Sequence, residues 1–213
     1  MIDARMFTVG PVQENCFIVR QKGAERAVII DPGEEAERLL GAIDTLGITA
    51  IEAILITHTH FDHIGAVAPV AKATGAPVYC PELETQVLAN IMDYVPWPGF
   101  GPFESYAADH TVTGGDTLEL GGLNFEVLFT PGHSPGHVTY AISDQNALFS
   151  GDVLFQGSVG RVDLPGGDWD TLLASIESLT NTFPAETTVH PGHGPLTTLG
   201  RERATNPFLR ELA

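Results

Sequence analysis

Apolar and polar positions along this chain switch repeatedly between a period of two and a period near 3.6. Residues 6–9, 16–20 and 26–31 are short β-branched or alternating runs, punctuated by Gly10-Pro11 and Lys22-Gly23, and predict three strands joined by turns. After Asp31-Pro32-Gly33, Ala36, Leu39, Leu40 and Ile43 recur at helical spacing and predict a helix over 34–46. The apolar run 53–57 predicts a buried strand, 64–73 a helix stopped at Gly75, 77–80 a strand and 82–92 a helix. Strands alternating with helices imply an α/β architecture. From 93 to 109 the pattern fails: Tyr94, Trp97, Phe100, Phe103 and Tyr106 interleave with prolines and glycines too dense for a continuous helix or a central strand. Those aromatics either wall a cleft or bury themselves in a satellite cluster, and the sequence leaves both open. The second half predicts strands over 117–120, 123–130, 138–142 and 147–150, with Gly114-Gly115 and Gly121-Gly122 as turns. A helix follows over 169–183, with Asp168 or Asp170 as N-cap, then a strand over 187–190 and a short helix after Arg201. Each half thus ends in a histidine-bearing loop, a hint of duplication without a sequence repeat.

Composition narrows this picture. With 213 residues, 43% of them apolar and 17% charged, the chain has material for one good core, and a single domain over 1–213 is expected. Ten basic residues face 27 acidic ones, a formal net charge of −17 that repels phosphate backbones and speaks against a nucleic-acid partner. No run approaches the ~18 apolar residues of a membrane span, and the first five residues form no apolar leader. A cytoplasmic protein without a membrane partner is the expectation. Cys16 and Cys80 fall on separate predicted strands and read as two buried free thiols rather than a ligand pair. Nothing in the sequence fixes an oligomeric state.

The densest chemistry lies in Thr57-His58-Thr59-His60-Phe61-Asp62-His63-Ile64-Gly65, where three imidazoles and a carboxylate fall within six residues at the end of a buried strand. In an extended segment side chains two apart share a face, so His58 and His60 can hold one metal together. Asp62 and His63 follow where the chain turns into a helix and can point at a second position. Imidazole and carboxylate donors admit several first-row metals. Three later strand ends each supply one more ligand type after a glycine: Gly132-His133, Gly151-Asp152 and Gly192-His193. Singly these are weak signals; four strand ends supplying seven ligands are a strong one.

His-x-His-x-Asp-His followed by Gly-His, Gly-Asp and Gly-His-Gly in this order resembles the metallo-β-lactamase superfamily over nearly the whole chain. That resemblance implies an α/β fold, a four-layer αββα sandwich, and two divalent ions, zinc first with iron or manganese as alternatives. It places His58, His60 and His133 around one ion, Asp62, His63 and His193 around the other, and Asp152 between both, with Asp62 and Asp152 as catalytic carboxylates. Antibiotic-hydrolysing members lack the bridging aspartate, so Asp152 argues against β-lactamase activity. The stretches 150–155, 160–168 and 200–208 look like short glyoxalase II-like hydrolases, which cleave S-acyl thiols such as S-lactoylglutathione. Only about twenty residues follow His193, short of the helical domain with which full-length glyoxalase II grips glutathione. A thioesterase acting on a small-molecule thioester through a metal-bridging hydroxide is therefore the expected function. The alternatives of the same fold are a lactonase, or a persulfide dioxygenase using one Fe(II) on His58, His133 and Asp152. Asp31 is expected to tie down the histidine loop without being a ligand, His137 to be a hydrogen-bonding residue behind His133, and His190 and His110 to be structural or solvated. Arg161 can meet a substrate carboxylate or pair with Asp163.

Overall fold

A computed structural model describes residues 1–95 and 97–212; Pro96, within the aromatic segment, and Ala213 lie outside them. The chain divides into two units, residues 1–112 with 119–124, and residues 113–118 with 125–213. The first carries a six-stranded sheet. β1 (Ile2–Val9), β2 (Glu14–Gln21) and β3 (Arg26–Ile30) form an antiparallel meander. Helix α1 (Ala36–Thr45) then crosses over to β4 (Ala50–Leu55), and α2 (Phe61–Ile64) and α3 (Val67–Thr74) lead on to β5 (Val78–Pro81). The short helices α4 (Thr85–Leu88) and α5 (Ile91–Tyr94) precede the last strand, β6 (His110–Val112). From β3 to β6 every pairing is parallel. Such strands are covered on both faces, which is why Val28 to Ile30 and Ala53 to Leu55 are apolar without alternation and almost wholly buried. Leu39 and Ile43 of α1 and Val67 and Val70 of α3 join Ile18, Ile29, Ile54 and Val78 in one core.

The second unit carries another six-stranded sheet, built from β7 (Thr117–Leu120), β8 (Leu123–Phe129), β9 (Val138–Ile142) and β10 (Ala147–Gly151). A hairpin of two-residue strands, β11 (Leu154–Phe155) with β12 (Ser158–Val159), and helix α6 (Trp169–Thr182) follow; then come β13 (Thr188–Pro191), β14 (Thr197–Thr198), α7 (Leu199–Thr205) and a 3-10 stretch, Pro207–Leu212. The sheet order is β14-β13-β10-β9-β8-β7, with β10 and β13 parallel. Asp168 is the N-cap of α6: its carboxylate accepts from the Thr171 N–H at 2.8 Å. The stripe Leu172, Ile176 and Leu179 is buried against Leu148 and Val189.

Two predicted helices are corrected. The run 82–92 is a 3-10 turn followed by α4 and α5, because Asn90 leaves helical geometry and its side chain donates to the Gln86 carbonyl, competing with the helix ladder. The run 64–73 begins earlier, at Phe61, and breaks at Gly65-Ala66, where the Ala66 N–H turns to the Pro32 carbonyl. The strands β6, β11 and β12 are too short for a period to show. Among the described residues no helix is long and apolar enough to cross a membrane.

Candidate metal centre

In the first unit the parallel strands β3, β4 and β5 end side by side: the Asp31 N–H reaches the Leu55 carbonyl and the Ile56 N–H the Tyr79 carbonyl. The chain beyond β4 bends at Thr57, is extended at His60 (φ −62, ψ 144) and turns helical at Phe61. His58 and His60 share one side with ring centroids 4.8 Å apart, and the turn brings the His63 ring to 4.1 Å from that of His58. His58 and His63 are fully buried, His60 and Asp62 partly so, and Asp62 Oδ2 lies 4.0 Å from His63 Nε2.

Asp31, held in left-handed backbone (φ 49), organises this loop. Its carboxylate accepts from the Thr57 N–H at 2.7 Å, the Thr57 hydroxyl at 2.6 Å and His63 Nδ1 at 3.1 Å. The Thr57 hydroxyl spends its one proton on Asp31, so at 3.1 Å from His58 Nδ1 it acts as acceptor there. Asp31 thus sets the tautomer of His63 directly and of His58 through Thr57, leaving Nε2 of both rings as the donor atom toward a cation. Asp31, His58 and His63 bring donor atoms within 4.8 Å of one another, with both aspartate oxygens already engaged by the loop, so Asp31 orients the histidines around it. Glu14, also fully buried, places Oε1 3.7 Å from His63 Nδ1. Burial, then Glu14 and Asp31, push the Cys16 thiol far up; burial, then Glu84 and Asp31, do the same for Cys80. Both are buried free thiols that stay protonated.

In the second unit the β10–β13 register slips between Phe149 and Gly151, and Gly151 takes φ 46, a bulge that turns Asp152 out of the sheet. The Gly192 N–H bonds the Gly151 carbonyl at 2.8 Å, so the loop bearing His193 is tied to the loop bearing Asp152. Asp152 Oδ2 lies 3.4 Å from His133 Nε2 and 3.5 Å from His193 Nε2. Two ligands of one tetrahedral ion at roughly 2.0–2.1 Å stand about 3.3 Å apart, so these are separations for sharing cations rather than for direct hydrogen bonds. His133 Nδ1 donates to the Arg161 carbonyl at 2.7 Å, again leaving Nε2 free to coordinate. His137 is the hydrogen-bonding residue expected, though its nearest role is behind Asp152. Its Nε2 accepts the Asp152 N–H at 3.1 Å and its Nδ1 meets the Thr130 hydroxyl at 3.1 Å.

The donor set fits a divalent cation: His58, His63 and His133 have Nδ1 engaged and Nε2 presented, beside carboxylates in surroundings rich in negative charge. Glu34 reports that surplus, its carboxyl pushed up by partial burial, then by Glu35 and Asp62. Arg161 pairs with Asp163 through two bonds, 2.7 and 2.8 Å, on the exposed surface. His190 is buried, stacks on Phe149 and donates to the Leu148 carbonyl; His110 is exposed against Tyr79. The aromatic segment packs on Phe61, between His60 and Asp62: Trp97, Phe100 and Phe103 ring centroids lie 6.1, 4.8 and 5.9 Å from it, with Trp97 40% exposed. Sequence reasoning missed Thr57, Glu14, Phe61 and the Arg161 carbonyl. Only Thr57 had a signal, its alternation with the histidines. It also missed why the stretch 200–208 matters: buried Glu202 accepts from the Gly157 N–H and from Asn206, and Asn206 donates to the Ser158 carbonyl, clamping the hairpin after Asp152.

The family model of the metallo-β-lactamase superfamily matches residues 9–193. The chain belongs to that superfamily. Its fold is the metallo-β-lactamase fold, mixed α/β with two sheets, and its coarse activity that of a metallo-hydrolase. The chain is 41% identical over 210 residues to the probable metallo-hydrolase YqgX of Bacillus subtilis, covering 96% of each. It is 34% identical over 210 residues to the hydroxyacylglutathione hydrolase GloC of Haemophilus influenzae, covering 98% of each. Among solved structures, the BLEG-1 B3 metallo-β-lactamase superposes with a TM-score of 0.91 at 43% identity, over 99% of this chain and all of that one. TTHA1623 in a di-iron-bound form superposes at 0.86 and 45% identity, over 96% and 100%.

Proposed function

We propose that the chain is a dinuclear metallo-hydrolase that cleaves small-molecule thioesters such as S-lactoylglutathione. In this reading His58, His60 and His133 hold one divalent ion, Asp62, His63 and His193 the second, and Asp152 both. The carrying observation is Asp152 itself: one carboxylate oxygen stands at cation-sharing distance from His133 on one side and His193 on the other. GloC lends the substrate class, and the di-iron-bound form of TTHA1623 supports iron alongside zinc as a candidate metal. When bound, two such ions supply an activated water at neutral pH and polarise the acyl oxygen.

The chain's own residues supply position and proton handling. Asp31, the Arg161 carbonyl and His137 fix His58, His63, His133 and Asp152 before substrate arrives, so little reorganisation remains at the moment of reaction. Asp62, the more exposed of the two candidate carboxylates, would orient the attacking water and take one of its protons on a carboxylate oxygen not given to an ion. The water oxygen ends in the product carboxylate, the C–S bond breaks, one water proton leaves on the thiol and the other is released to solvent. Arg161 is a candidate contact for a substrate carboxylate, reached by exchanging its Asp163 partner. No nucleic-acid or membrane partner enters this reading, and the setting proposed is cytoplasmic.

A second reading has its own support: 43% identity to a B3 metallo-β-lactamase keeps β-lactam hydrolysis open despite Asp152. A panel of S-lactoylglutathione, acyl-homoserine lactone, glutathione persulfide with oxygen uptake, and nitrocefin, run on protein of measured metal content, separates the readings. Thioester turnover should dominate and Asp152→Ala should lose both metal and turnover. An Asp152→Ala protein that keeps two ions and full activity overturns the assignment.

A further inference from the structure

We infer that Glu84 is a positioning residue for the histidine loop: through Thr59 it fixes the backbone between His58 and His60 and so sets the bite of that pair on its ion. The inference rests on the dinuclear reading above and adds a residue outside the donor set. Thr59 is 2% exposed and Glu84 5%. The Thr59 hydroxyl makes a short hydrogen bond to Glu84 Oε2, and the Thr59 N–H donates to the same oxygen at 3.3 Å. Glu84 stands at the start of α4, where a carboxylate would ordinarily serve its own helix, yet its side chain makes no cap there. It is spent on a loop 25 residues away. A buried carboxylate is costly unless charge-assisted hydrogen bonds compensate it, and Thr59 supplies two.

The order of residues along the loop gives this contact its meaning. Each threonine is held by a buried carboxylate from a different element: Thr57 by Asp31 after β3, Thr59 by Glu84 after β5. Asp31 also bonds His63, so its loss acts on a candidate ligand at once. Glu84 instead acts on the peptide that links two candidate ligands. Two imidazoles on one ion tolerate displacements of only about 0.5 Å, so a released Thr59 is felt as a looser bite. The charge of Glu84 is also felt by Cys80 on β5, where it adds to burial in pushing that thiol up.

The test uses the full chain, stripped of metal and titrated with zinc against a chromophoric chelator. Glu84→Ala and the isosteric Thr59→Val should each weaken one zinc site by about 10–100-fold. The double variant should be no weaker than the worse single one, because both remove the same bond. Glu84→Gln, which keeps an accepting oxygen, should recover most of the loss. Circular dichroism and melting confirm that each variant is folded; if Glu84→Ala does not fold, Thr59→Val and Glu84→Gln carry the comparison. Unchanged zinc affinity in folded Glu84→Ala or Thr59→Val, or losses that add in the double variant, overturn the inference. Wild-type protein that binds a single zinc sinks the dinuclear reading instead, and the variants still decide Glu84 at the site that remains.

Discussion

Gly160→Ala should cost the protein its metal while changing one methyl group. An added Cβ would stand 1.8 Å from the Asp152 carbonyl oxygen and 3.2 Å from His133 Nδ1. Real Cβ contacts are essentially never closer than 3.0 Å, so the two segments must part by about 1.2 Å. Neither partner is the far end of a flexible side chain: one is the backbone of Asp152, the other a ring pinned by the Arg161 carbonyl next door. The displacement therefore passes to two candidate ligands at once. A misplacement of about 1 Å in a catalytic constellation costs roughly 100-fold, and overpacking of this kind destabilises by about 1–3 kcal/mol. In a chain of this size that lowers the melting temperature by about 2–4 °C per kcal/mol. The assay compares metal content after dialysis, kcat/KM on S-lactoylglutathione and melting temperature with those of Gly41→Ala. Gly41 lies exposed within α1 and its new Cβ meets nothing within 4 Å, so that variant should gain about 0.5–1 kcal/mol and leave the metal untouched. Gly160→Ala protein with wild-type metal content and turnover would refute the reasoning.

Arg161→Ala should leave metal content and melting temperature unchanged, since the side chain and its Asp163 partner are exposed and His133 is held by the backbone carbonyl, which alanine keeps. If Arg161 meets a substrate carboxylate, KM rises with kcat preserved; loss of metal in this variant would show that the ion pair itself shapes the site. Burial holds the His190 imidazole down at about 4, against 6.5 for the free group. As pH falls from 6.5 toward 4 the unfolded chain binds a proton that the folded chain refuses, so stability falls by about 1.4 kcal/mol per pH unit in that window and is fully present above it. Urea unfolding at pH 7 and pH 5 should show His190→Phe, which keeps the stack on Phe149, losing about 2 kcal/mol less than wild type. Equal losses would place the acid sensitivity elsewhere.

What could be read from the chain alone, and what could not, follows from the range of the interactions. The loop from Thr57 to His63 declares itself because its donors are adjacent and its geometry is local. Two residues per side in an extended segment put His58 beside His60, and a helix start at Phe61 swings His63 back toward them. Strand ends capped by glycine and a ligand are legible for the same reason. Apart from Asp31 and His137, whose supporting roles the sequence already suggests, the parts that hold the ligands still are not, because each depends on a partner far along the chain. Gly33 reads as a turn residue after Asp31-Pro32, yet the structure requires a glycine there because its Cβ would lie 1.6 Å from the Asp62 carbonyl. Gly160 stands in the same relation to Asp152. Glu84 reads as part of an ordinary helix, and the contact that gives it a role reaches Thr59, 25 residues back. Both candidate carboxylate ligands therefore rest their backbone on a glycine from another loop, and both threonines of the histidine loop rest on a buried acid. Substituting those supports, rather than the donors, is where metal affinity can change without any coordinating atom being removed.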